Sequence, residues 1–121
     1  MEFLYCFANA SLTQRVLHYL RHQMRQHVAS VTIIFLNDRW VTYLRLHPDI
    51  ALERGDDCWA VLNENGIPHN PTPSLALALH DLDAGDELPQ VMNRFHVAIV
   101  SHGAPNPEAV DCFQKQFVAG L

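Results

Sequence analysis

The stretch VTIIFLNDRWVTYLRL, residues 31–46, decides how the rest of the chain is read. Its first six residues, Val31 to Leu36, are apolar except for Thr32, as a strand buried on both faces requires. Asn37 and Asp38 end the run, because both residue types favour turns. The next segment, RWVTYLRL up to Pro48, fits either a short helix or an extended stretch.

Two other runs resemble 31–36. FLYCFA (3–8) is continuously apolar and aromatic, and HVAIVS (96–101) is a third strong strand. After the first comes the clearest helical pattern in the chain, LTQRVLHYLRHQMRQHV, with Asn9 or Ser11 placed to cap it. Leu12, Val16, Leu20, Met24 and Val28 form its apolar stripe, and Arg15, His18, Arg21, His22 and Arg25 take the opposite face. DIALERG reads as one or two helical turns closed by Gly55, and DDCWAVLNENG as a helix with Gly66 at its C′ position. IPHN is a short strand at most. A helix is predicted near 74–82, then a polar loop, a short helix before Phe95, and a terminal helix over 107–119 with Pro107 in its first turn.

Buried strands alternating with helices predict an α/β fold: a single domain over 1–121, its sheet mostly parallel with helices on both faces. In such sheets ligands collect beyond the carboxyl ends of the strands. Here those ends carry Asn9 and Ser11, Asp38, His69 and Asn70, and Ser101, His102 and Gly103, which makes these residues the expected ligand-binding rim.

Charge is unevenly spread. The net charge is −5, yet no acid occurs from Phe3 to Asn37, where Arg15, Arg21 and Arg25 lie. From Asp49 to Glu87 the acids are Asp49, Glu53, Asp56, Asp57, Glu64, Asp81, Asp83, Asp86 and Glu87, against Arg54 alone. Only 17% of residues are charged, which suggests that part of the surface is covered by another subunit. The basic helix face, Arg15, His18, Arg21, His22 and Arg25, is therefore the expected interface with a second copy or an acidic partner protein. The acidic excess argues against nucleic acid. No segment approaches the ~20 apolar residues of a membrane span, and the first residues lack the positive charge of a signal peptide, so a cytoplasmic location is expected.

Chemistry is thinly signalled. Cys6, Cys58 and Cys112 are widely spaced, with neither a zinc pattern nor a disulfide framework, and reduced thiols are expected. His18 and His22 have a metal-capable spacing, but three arginines surround them and no HExxH motif is present, so no metal site is expected. Ser101 and His102 are sequence neighbours, which point apart at a strand end; a triad would need His69 and Asp38 to reach Ser101. Gly103 serves the turn out of the sheet. No Gly-rich phosphate loop occurs, and no cofactor is implied.

FLYCFANASLTQRVLHYL, VTIIFLNDRWVTYL, VLNENGIPHN and FHVAIVSHG, taken in order, resemble the strand and helix succession of the DsrE/DsrF-like family, small α/β sulfur-relay proteins that include the TusD type. The resemblance covers 3–103 and leaves 104–121 as a helical extension. It implies a parallel sheet, assembly into trimers or hexamers, and a persulfide-carrying cysteine after the third strand. That position falls at His69–Asn70, where no cysteine stands. The expected function is thus a DsrE-like protein acting through homo-oligomer or partner contacts, structural, regulatory or accessory to sulfur relay. The alternative is a small-molecule-binding protein or enzyme using the polar rim.

Overall fold

The computed structural model describes residues 1–118, so the end of the predicted terminal helix and of the extension, 119–121, lies outside the described residues. Among the described residues five strands form one sheet: β1 (Glu2–Phe7), β2 (Val28–Leu36), β3 (Arg39–Leu46), β4 (Ile67–Pro68) and β5 (Ala98–Gly103), in the order β4-β1-β3-β2-β5. Five helices accompany it among the same residues: α1 (Ala10–Gln23), α2 (Leu52–Asn65), α3 (Pro73–Asp83), α4 (Leu88–Phe95) and α5 (Pro107–Phe113), the last running into a π-helical turn, Gln114–Val118.

Every strand pairing is antiparallel, which overturns the expectation of a mostly parallel sheet. The cause lies in VTIIFLNDRWVTYLRL. RWVTYLRL is a strand, not a helix, and it folds straight back on β2 with Phe35 opposite Trp40 and Leu36 opposite Arg39. Only Asn37 and Asp38 separate the strands, and both have positive φ, 52° and 61°. This is the two-residue hairpin whose backbone twist matches that of its strands, and Asn and Asp tolerate its left-handed geometry. β1 then pairs with the outer side of β3, so β1 and β2 share a direction but never touch, and β5 runs against both. The parallel sheet implied by the DsrE-like resemblance is absent with it.

Alternation along the strands produces two cores. Tyr5, Phe7, Val31, Ile33, Trp40 and Leu44 face α1, α2 and α5, meeting Val16, Leu17, Leu20, Cys58, Leu62 and Val110. Ile34, Val41 and Ile99 face the other way, against Leu75, Ala78, Leu79 and Leu82 of α3 and Val91 of α4. α1 starts where the Asn9 side chain accepts the Leu12 N–H at 2.9 Å, and α3 where Thr72 accepts that of Leu75 at 3.2 Å. α5 is fastened by its aromatic end: Phe113 packs 5.4 Å from Phe35 and 5.7 Å from Trp40, themselves a cross-strand pair.

Gly55 does not end a helix. α2 runs unbroken from Leu52 to Asn65, and Gly55 is buried within it because the Met1 side chain lies over it, 2.8 Å from where a β-carbon would stand.

Candidate functional site

The antiparallel order divides the expected rim. Asn9 and Ser11 follow the end of β1, and Asp38 sits in the β2–β3 turn, all at one end of the sheet. Ser101, His102 and Gly103 lie at the other end, where Gly103 pairs with Val31. His69 is at that end too, its N–H donating to the Leu4 carbonyl at 2.9 Å, with Asn70 beside it. But Leu4, Tyr43, Thr32 and His102 form one rung across β1, β3, β2 and β5. His69 and His102 therefore stand at opposite sheet edges, four strand spacings or about 19 Å apart. A rim joining all eight residues does not exist, and neither does a triad of Ser101, His69 and Asp38.

Ser101 and His102 belong to opposite faces. Ser101 pairs with Ile33 toward α1, its hydroxyl buried without a partner among the described residues. His102 points the other way, its Nδ1 2.7 Å from Thr32 Oγ1. Beyond Thr32 on the same face, the Tyr43 hydroxyl donates to Asp83 Oδ2 at 3.2 Å and Arg45 Nη1 reaches Asp83 Oδ1 at 3.3 Å, with Glu2 3.8 Å from Arg45 Nε. Burial raises the Tyr43 pKa, and the Asp83 and Glu2 carboxylates add to it, so the phenol keeps its proton and stays a donor. Glu2, Tyr43 and Asp83 line a hollow of about 340 Å³ between α3 and β1–β3. Both carboxylates in it are already paired with Arg45, so the cluster braces α3 onto the sheet.

Arg15, His18, Arg21 and His22 lie on the outer side of α1, but the helix ends at Gln23, which leaves Arg25 in the following turn and Val28 at the start of β2 rather than on the helix's apolar stripe. His18 and His22 stack with ring centres 5.9 Å apart. Arg21 holds Glu108 of α5 through both carboxylate oxygens, at 2.9 and 2.8 Å, which keeps the Glu108 pKa below the usual carboxylate value. Arg15 donates to Asn65 at 3.4 Å, and Arg25 is exposed. The structure adds Arg54 to this group, which comes from α2 to donate to the Gln23 carbonyl at 2.7 Å. Its neighbours in sequence are acids, which hides its place among the α1 cations.

The outer face of α2 is a second feature that sequence reasoning does not single out. Leu52 is 74% exposed and Trp59 is 52% exposed, with the exposed Asp56 between them and Glu53, Asp57 and Glu64 exposed farther round the helix. Seven residues, or about two turns, separate Leu52 from Trp59, which puts both on one side of the helix. The sequence does carry a signal for it: an apolar pair at helical spacing on the flank of the stripe that Cys58 and Leu62 bury, about a quarter-turn round the helix.

Thiol chemistry is poorly served. Cys58 is fully buried and its pKa is pushed up to about 12 by burial; Cys6 is half-buried and Cys112 exposed. Among the described residues no three His, Cys, Asp or Glu side chains gather closely enough to hold a metal ion, and no helix is long and apolar enough to cross a membrane.

No protein-family model matches the chain, and no curated protein matches it in sequence. Among solved structures, the C-terminal domain of YpbH superposes with a TM-score of 0.54, over 96% of this chain and 98% of that domain. The two share 14% sequence identity, so the likeness is one of fold alone.

Proposed function

We propose that this domain acts by binding another protein chain, with the outer face of α2 as the contact surface. The observation that carries this reading is Trp59, a large aromatic side chain 52% exposed on a regular helix, with Leu52 two turns away on the same side. An exposed tryptophan costs hydration free energy that a contact recovers, and tryptophan dominates the energetics of many protein interfaces. Asp56 beside the pair, with Glu53, Asp57 and Glu64 farther round the helix, selects a partner segment that is apolar at its centre and basic along one rim. The basic face of α1 on a second copy has the charge for this, which makes self-association one form of the contact.

Leu52→Ser/Trp59→Ser, a pair of outward-facing changes, tests the proposal. Sedimentation velocity across the micromolar range reads self-association, and affinity capture from an extract of the source cells reads a different partner. A complex formed by the wild-type chain and lost in the double variant supports the reading. A monomer in sedimentation, together with identical capture by both proteins, overturns it.

A further inference from the structure

At the far end of α1 a hollow of about 490 Å³ is lined by Arg21, His22, Arg25, His27 and Arg54. Three of the eight lysines and arginines of an acidic protein thus border one small volume, joined by two imidazoles. Arg21 lies in the last turn of α1 and Arg25 in the turn that follows the cap at Met24, so two elements bring their cations to the same volume. Cations do favour a helix carboxyl terminus, but the Arg54 guanidinium already serves that purpose at the Gln23 carbonyl. Glu108 pairs with Arg21 from outside the hollow, and no carboxylate is within 4 Å of Arg25 or Arg54 among the described residues.

A second hollow of about 350 Å³ shares Arg21 and Arg25 with the first and is otherwise bordered by Val28, Ala29, Gly103, Ala104 and Pro105. Cationic walls therefore adjoin an apolar and backbone-lined recess. Gly103, with φ of +122°, has nothing within 4 Å of the place a β-carbon would take, which leaves the recess open there.

We infer that these two hollows, which share Arg21 and Arg25 as walls, bind a phosphate monoester, its dianionic head among Arg25, Arg54 and the imidazoles, its organic part beside Val28 and Pro105. A dianion is favoured over a single carboxylate because it offsets the mutual repulsion of more than one guanidinium, and guanidinium forks match phosphate oxygens. Neither Leu52 nor Trp59 lines this site, so the variants that test the two readings are different.

The test is a titration of the isotopically labelled chain, followed by amide and arginine side-chain NMR, with phenyl phosphate, inorganic phosphate, a phosphoserine peptide and acetate as probes. Phenyl phosphate is expected to shift resonances of Arg25, Arg54 and Gly103 saturably, and more tightly than inorganic phosphate or acetate. Arg25→Gln is expected to weaken it about tenfold, the size of one lost charge-assisted hydrogen bond, while Arg94→Gln, on α4, leaves it unchanged. Should Arg25→Gln fold poorly, Arg54→Lys gives the same reading through the lost fork. Tighter binding of the phosphoserine peptide than of phenyl phosphate assigns the head group to a phosphorylated chain; the reverse order assigns it to a small molecule. Absence of saturable shifts at millimolar phenyl phosphate, or equal affinity in Arg25→Gln, overturns the assignment.

Discussion

Phe7 lies so close against Gly66 that a β-carbon at Gly66 would fall 2.4 Å from the Phe7 ring and 2.5 Å from the Cys6 carbonyl oxygen. Gly66 has extended backbone, φ −160°, so any residue can adopt its conformation; the approach of β1 is the reason glycine is required. The carbonyl belongs to a strand paired on both sides and cannot move aside. Gly66→Ala is therefore expected to lower unfolding free energy by about 1–3 kcal/mol, as other overpacked sites do. Gly55 is the contrast, because the atoms met there are the tip of the Met1 side chain, which can swing away. Gly55→Ala, in a helix interior, is expected to be neutral or stabilising by up to about 1 kcal/mol. Urea unfolding of the two variants checks the pair, and equal effects would refute it.

The Asn37–Asp38 turn makes a second prediction. Asp38 has φ of 61°, a conformation costing an ordinary residue roughly 1–2 kcal/mol, while glycine there gives back about 0.5–1 kcal/mol as chain entropy. Because Asp itself tolerates this conformation, Asp38→Gly should be neutral to stabilising by at most about 0.5 kcal/mol, and Asp38→Val, which carries the full penalty, should destabilise the fold by about 1–2 kcal/mol. Thermal unfolding distinguishes them.

That turn also marks the limit of what the sequence makes legible. The strands at 3–8, 31–36 and 96–101 and the helix after Asn9 can be read because each carries a strong apolar period. Their relative direction cannot, because Asn-Asp suits the end of a strand as well as the bend of a hairpin. RWVTYLRL alternates Trp40, Thr42, Leu44 and Leu46 on one face with Val41, Tyr43 and Arg45 on the other, and both faces lie under helices, which blurs the polar alternation of a half-exposed strand. The expected site inherits the same ambiguity. Gathering the strand ends on one rim presumes a common direction, and without it His69 and His102 fall on either side of the sheet. The α1 cations are legible, since an amphipathic helix shows its outer face directly. Trp59 is not, because an aromatic residue is assigned to the core by default.

Cys58 should resist modification. Its thiol is buried and holds its proton up to about pH 12, against an ordinary value of 9.0, so little thiolate is present near neutrality. Iodoacetamide applied to the native chain is expected to label the exposed Cys112 and to spare Cys58, as peptide mass spectrometry would report. The same shift has a stability consequence. Between pH 9 and 12 the unfolded chain loses this proton while the folded chain keeps it, so the contribution, fully present below 9, declines as pH rises. Cys58→Ala should flatten the alkaline loss of unfolding free energy; an unchanged slope would contradict the assignment.

Thr32 and His102 make the last prediction. Thr32 is 1% exposed, and its hydroxyl has His102 Nδ1 at 2.7 Å as its partner. His102→Leu removes that partner and leaves a buried hydroxyl unpaired, at a cost of about 1–3 kcal/mol. Thr32→Val in the same chain replaces the hydroxyl with a methyl group of similar shape, so the double variant should recover most of the loss. A His102 held mainly by packing gives another pattern: the double variant then loses at least as much as His102→Leu alone. Urea unfolding of both singles and the double closes the cycle, and the sign of the coupling decides between a hydrogen-bonded rung and a merely space-filling ring.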